Sequence, residues 1–199
     1  MAPTTKLQAV NLLLATIGQA PVNTLSGGVS IDVIRAVNQL DTVSREVQSR
    51  RCTFNTEDCF TLNVNTSGQV VLPANCILVD ILPTAPLAGS IVVRGNKLYD
   101  RKNHTYQFTQ AVRAKATFLL EWDDLPEYAR SYISIRAARQ FSDNSEGSET
   151  AHRFTQQDEN AALMTFQQME GEMDDANFIT NLTSGVGSLS QPLSRNNLI

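Results

Sequence analysis

Apolar residues recur at three- and four-residue steps at Leu7, Val10, Leu14 and Ile17, the spacing of one helix face. The run stops at Gly18 and Pro21. A loop with Gly27 and Gly28 follows, and Val33, Ala36, Leu40, Val43 and Val47 then mark a second amphipathic helix. On it Asp41/Arg45 and Glu46/Arg50 stand four residues apart and are expected to pair.

The period shortens after "QSRRCTFN". From Phe54 to Trp122 the chain reads as short strands, "FTLNV", "QVVLP", "CILVDIL", "SIVVRGNKLYD", "TYQF" and "RAKATFLLEW", broken by Ser67-Gly68, Pro83, Pro86, Gly89 and Gly95-Asn96. Within them "VVRGNKLYD" predicts a tight hairpin. Helical spacing returns at Leu125, Tyr128, Tyr132, Ile135 and Ala138. Asp124 and Glu127 fit a capping pair at that helix start, with Pro126 where its missing N–H is harmless. After "SDNSEGSE", a last helix is predicted with a seam of Ala151, Phe154, Ala161, Ala162, Phe166, Met169 and Met173. Residues 176–199 are rich in Ser and Asn, with Phe178, Ile179, Leu182, Leu189, Leu193 and Leu198 spaced as apolar anchors for a partner groove.

This order predicts an α+β fold. An antiparallel helical bundle is built from both chain ends, residues 1–53 and 123–175. A small all-β domain, sandwich- or barrel-like, is inserted at residues 54–122, and an extended, flexible C-terminal tail occupies residues 176–199.

Composition supports a packed core, since Leu, Ile, Val and Phe supply 53 of 199 residues. No stretch approaches a membrane span, and "LQAVNLLLATIGQAP" has too many polar interruptions and too little positive charge for a signal peptide. The chain is expected to fold in the cytoplasm. Cys52, Cys59 and Cys76 form neither a CxxC pair nor an even disulfide set, and His104 and His152 lie far from them, so no metal or other cofactor is expected.

The net charge of −4 argues against the whole chain binding nucleic acid, yet the charge is uneven. Residues 61–142 hold nine basic and six acidic side chains, whereas residues 143–175 hold nine acidic against one Arg. Such opposed segments can orient a partner or a neighbouring copy. Arg94, Lys97, Arg101 and Lys102, interleaved with Tyr99 and Tyr106, form a basic-aromatic hairpin, and Arg130, Arg136 and Arg139 add charge on the third helix. A DNA-binding module is one reading of them, and a solvated face or a protein contact is the plainer one.

Enzyme chemistry has one candidate constellation. Glu121, Asp123, Asp124 and Glu127 could supply the acid and nucleophile of a hydrolase acting on cell-surface polysaccharide. A strand end leading into a capped helix explains all four without a pocket. No GxSxG, glycine-rich phosphate loop or HExxH is present, and a triad of His104, Asp100 and Ser90 places its histidine in a turn-like "RKNHT".

The segments "LLLATIGQAPVNTL", "VSREVQSRRCTFN", "VVRGNKLYDR" and "EWDDLPEYARSYISIRAARQF", in this order, resemble the tail tubular protein A family of T7-like short-tailed bacteriophages. The resemblance runs over about residues 7–170. It implies a structural virion protein made in the host bacterial cytoplasm. Twelve copies would form an adaptor ring between the portal protein and the tail nozzle (tail tubular protein B), passing double-stranded DNA without sequence-specific binding. It carries over no catalytic residue.

Overall fold

The fold comes from a computed structural model, and the structure describes residues 3–82, 89–146 and 156–173. It is a mixed α+β chain. Helices α1 (Lys6–Thr16) and α2 (Ile31–Gln48) come first, then strands β1 (Thr56–Leu62), β2 (Cys76–Ile81), β3 (Ile91–Arg94), β4 (Lys97–Asp100) and β5 (Val112–Phe118). Helices α3 (Glu127–Glu146) and α4 (156–173) follow.

Local chemistry sets the limits of α1. Thr5 caps it by accepting from Gln8 N at 3.2 Å, and Gln8 Oε1 returns a bond to Thr5 N at 2.9 Å, a reciprocal capping box. At the other end Gly18 has φ +71°, and Gln19 N reaches Leu14 O at 3.0 Å while Gly18 N reaches Ala15 O at 3.1 Å. This glycine cap closes the helix and satisfies carbonyls that would otherwise have no partner.

The apolar faces meet as their spacing predicts. Leu13, Leu14, Val33, Leu40, Val43, Val47, Tyr132 and Ile133 are each 2% exposed or less, and α1, α2 and α3 pack against one another in every pairing. From α4, Phe166 enters the same core, its ring stacked on Tyr132 at 5.1 Å and tilted against Tyr128 at 5.8 Å. Of the predicted seam, Ala162 and Met169 are half-buried, Ala161 and Met173 are exposed, and Ala151 and Phe154 lie outside the described residues.

The β segment has a separate core. Antiparallel β1, β5 and β2 form a three-stranded sheet with β5 in the centre, and β3 and β4 form a two-stranded one. Leu62, Val112 and Ala114 from the first share an apolar cluster with Ile91 and Leu98 from the second, joined by Val70, Leu72 and Phe108. The predicted hairpin is β3–β4, with Arg94 opposite Lys97 and Gly95 at φ +62° in the turn.

Three expectations change here. "QVVLP" makes only isolated bridges, Val64 to Val70 and Val71 to Lys97, and "TYQF" only Asp100 to Thr105. The last strand stops at Phe118, and Trp122–Asp124 is a 3-10 turn. Past Phe118, Leu119 N still bonds Asn75 O, and Leu120 is then captured by the side chain of Gln48 instead of a neighbouring strand.

Candidate functional site

The acidic residues at the entry to α3 lie in or beside a 3-10 turn and in the first turn of the helix. Glu121 precedes the 3-10 turn and Asp123 and Asp124 lie in it, all three exposed. Asp124 does not form the predicted capping pair. Glu127 instead accepts from both the backbone N and the hydroxyl of Thr4, the first at 2.7 Å, tying the N-terminal segment to α3. The carbonyl of Thr4 is held in turn by Trp122 Nε1 and Arg130 Nη1, each at 3.0 Å. Burial penalises the Glu127 carboxylate, but the two Thr4 bonds and nearby Arg130 prevail and hold its pKa below the ordinary value. A glycosidase acid needs the opposite shift.

The four basic residues of the hairpin sit at its two ends. Arg94 and Lys97 are cross-strand neighbours at its tip, where Arg94 lies over the Tyr99 ring at 3.9 Å and Lys97 Nζ donates to Gln69 Oε1 at 2.9 Å. Arg101 and Lys102 follow the far end of β4, with Arg101 Nη2 donating to Gly89 O at 3.1 Å. Between them Asp100, 1% exposed, organises the turn by accepting from Lys102 N, Asn103 N and Asn103 Nδ2. Those bonds and one from Ser90 overcome the effect of burial and keep its pKa low. His104 is exposed at φ +51°, so Asp100 serves the turn rather than a triad.

The α3 arginines are committed to the fold. Buried Arg130 donates to the carbonyls of Leu125, Thr4 and Asp123 at 2.8, 3.0 and 2.7 Å. Arg136 binds Glu159 at 2.9 Å and Glu46 at 3.3 Å, while Arg139 binds Glu159 and Asp143. The expected helix pairs are thus replaced by longer-range ones. Glu46 pairs with Arg136 rather than Arg50, and Asp41 pairs with Lys6 at 2.7 Å rather than Arg45.

Helix α4 docks through two inward carboxylates that the sequence showed only as part of an acidic run. Glu159, 8% exposed, takes the arginine pair. Glu170 accepts from Thr53 N at 2.6 Å and from Tyr128 Oη at 2.7 Å. Burial and that carboxylate push the Tyr128 pKa up. An open cavity of about 470 Å³ remains between α1, α3 and α4, lined by Leu12, Thr16, Ser131, Ile135, Ala138 and Ala161 among others.

The junction between the two cores falls where the sequence places it, but the buried amides that hold it are not legible there. Gln48 is fully buried at the end of α2, and its side chain pairs with the backbone of Leu120. Asn55 Nδ2 donates to Gln48 O and to Phe118 O, both at 2.9 Å, pinning the outgoing and returning segments together. Such amides have no short-range signature, and only the change of period between Val47 and Phe54 marks the place. The anchors Phe178, Ile179, Leu182, Leu189, Leu193 and Leu198 lie outside the described residues, as does His152. Among the described residues no cluster of three His, Cys, Asp or Glu could hold a metal ion, and no helix is long and apolar enough to cross a membrane.

No curated protein matches the chain. A family model described as "Tail tubular protein" matches residues 7–176, most of the sequence.

Proposed function

Since the chain belongs to the tail tubular protein family and is a structural component of a phage tail, we propose that it is the adaptor ring of a short tail. Twelve copies join the portal to the nozzle and enclose part of the channel for genome ejection. In this reading residues 1–53 and 123–175 are the helical bundle, residues 54–122 the inserted β domain, and residues 176–199 an extended tail.

The observation that carries the proposal is the family match over residues 7–176. Two separate cores joined at a hydrogen-bonded junction support it, since an adaptor must present one face to each neighbour without bending between them. The anchors Phe178, Ile179, Leu182, Leu189, Leu193 and Leu198 dock on the portal, and ring symmetry multiplies weak contacts into firm attachment. The two ends of the β3–β4 hairpin, Arg94 with Lys97 and Arg101 with Lys102, contact the nozzle or neighbouring subunits. The lumen carries acidic side chains, so that double-stranded DNA slides rather than sticks. The chain is made in the host cytoplasm and assembles there.

Removal of residues 176–199 tests the portal contact. The shortened chain is expected to keep its helical circular dichroism and lose portal binding, and unchanged binding would refute the docking role. The hydrolase reading gains no support from the direction of the Glu127 shift.

A further inference from the structure

The described part of α4 ends beside an apolar cavity. The space of about 470 Å³ between α1, α3 and α4 is lined by Leu12, Ile135, Ala138, Ala161 and Ala162, and Tyr128 borders it. Leu12 is 43% exposed there. Met173, the last described residue of α4, has its Sδ 3.8 Å from Tyr128 Oη. The chain therefore passes from α4 into residues 174–199 within a side chain's reach of the cavity.

The first part of that stretch matches the cavity in reach. Ala161 stands about 18 Å back from Met173 along α4, at 1.5 Å per residue. A chain that spends three residues on reversing then advances roughly 3.3 Å per residue when extended. That brings Phe178 about 7 Å back, to the Tyr128 end, and Leu182 about 20 Å back, alongside Ala161. Extended backbone alternates its side chains, so Phe178, Thr180 and Leu182 share one side.

It matches in chemistry as well. Residues 176–182, "ANFITNL", carry no charge. Arg139, which lines the cavity, is already paired with Glu159 and Asp143, and Asp158 is exposed to solvent. An uncharged apolar segment therefore suits the middle of the cavity better than a charged one. The competing occupant is residues 147–155, which are tethered at both ends and bring Glu149 and Arg153 along with Phe154.

We propose that in the free chain residues 174–182 fold back along α4 and lay Phe178 and Leu182 in their own chain's cavity. The portal then takes these anchors by exchange, so the contact is autoinhibitory. This inference rests on the reading above that the anchors dock on the portal, and it adds what holds them beforehand.

A thiol probe in the cavity tests it. The full-length chain carries Ala161→Cys, with exposed Cys59 changed to Ser, and labelling at position 161 is followed by mass spectrometry. The rate is expected to rise at least tenfold when Phe178→Ser and Leu182→Ser are added, and likewise on saturation with portal. Equal rates with and without the two Ser changes would overturn the shelter. A portal that binds the chain without quickening the probe would overturn the exchange. Failure to bind the portal at all would overturn the adaptor reading, while the variant comparison would still decide the shelter.

A disulfide gives a second readout. In the same Cys59→Ser background, Ser131→Cys and Thr180→Cys are expected to close an intramolecular bond when the dilute chain is oxidised. Covalent multimers in its place would put the segment in a neighbouring copy's cavity and refute the proposal.

Discussion

The side-chain amide of Gln48 pairs with the backbone of Leu120 as a neighbouring strand would, Nε2 donating to Leu120 O at 3.1 Å and Oε1 accepting from Leu120 N at 2.8 Å. The two residues are far apart in sequence, one at the end of α2 and the other just past β5. The pair lets β5 end in a segment where its backbone would otherwise go unpaired.

Replacing Gln48 with Leu keeps the volume and strands both backbone groups of Leu120. Each unsatisfied group costs roughly 1–3 kcal/mol, so the variant is expected to lose about 2–4 kcal/mol in urea unfolding. Asn55→Ala removes the companion bonds to Gln48 O and Phe118 O and is expected to act in the same direction.

Glu159 neutralises two arginines from a position 8% exposed, so Glu159→Ala leaves Arg136 and Arg139 clustered without it. Their side chains remain about one-fifth exposed, which places the cost at the low end for a broken internal pair, on the order of 2–3 kcal/mol. Hydrogen exchange should locate the loss in α4. Unchanged protection there would mean that Phe166 and Glu170 hold the helix without it.

Glu127 gives the fold an acid-sensitive clasp. Its pKa is lower in the folded chain than in the unfolded one, so its contribution is complete above the ordinary carboxylate range and is lost as pH falls through the folded value. Wild type should therefore exceed Glu127→Gln in urea midpoint at pH 7, and the gap should narrow progressively as pH falls below the ordinary carboxylate range. A gap that widened in acid would contradict the sign.

The three thiols are predicted to separate by reactivity. Cys59 is exposed and should react first with a thiol reagent at pH 8. Cys76 is half-buried with its pKa raised by burial and should follow slowly. Cys52 is pushed up to about 12, mainly by burial and then by Glu170, and should react only on unfolding. Counting modified sites by mass spectrometry over time checks the order.

Hydrophobic spacing located α1, α2, α3 and the β3–β4 hairpin because each buries one continuous face or turns on a glycine. It could not choose among charged partners. Asp41 has Arg45 one turn away yet meets Lys6, because α1 lies closer to its carboxylate in the folded chain than Arg45 does. The acidic run of residues 143–175 reads as a surface field, whereas Glu159 and Glu170 point inward and meet groups on α3 and at Thr53. Thr105 to Phe108 has strand composition but only one bridge, because Asp100 and Asn103 close the preceding turn tightly. Partners distant in sequence decide the charge pairs of Asp41, Glu159 and Glu170, and local pattern does not encode them.

The proposed adaptor ring must assemble on its portal. Light scattering with negative-stain imaging of the full-length protein, alone and then with its portal, tests it most directly. Rings of about twelve subunits on the portal, with a mass to match, are the expected result. A chain that stays monomeric and ignores the portal at every concentration would contradict it.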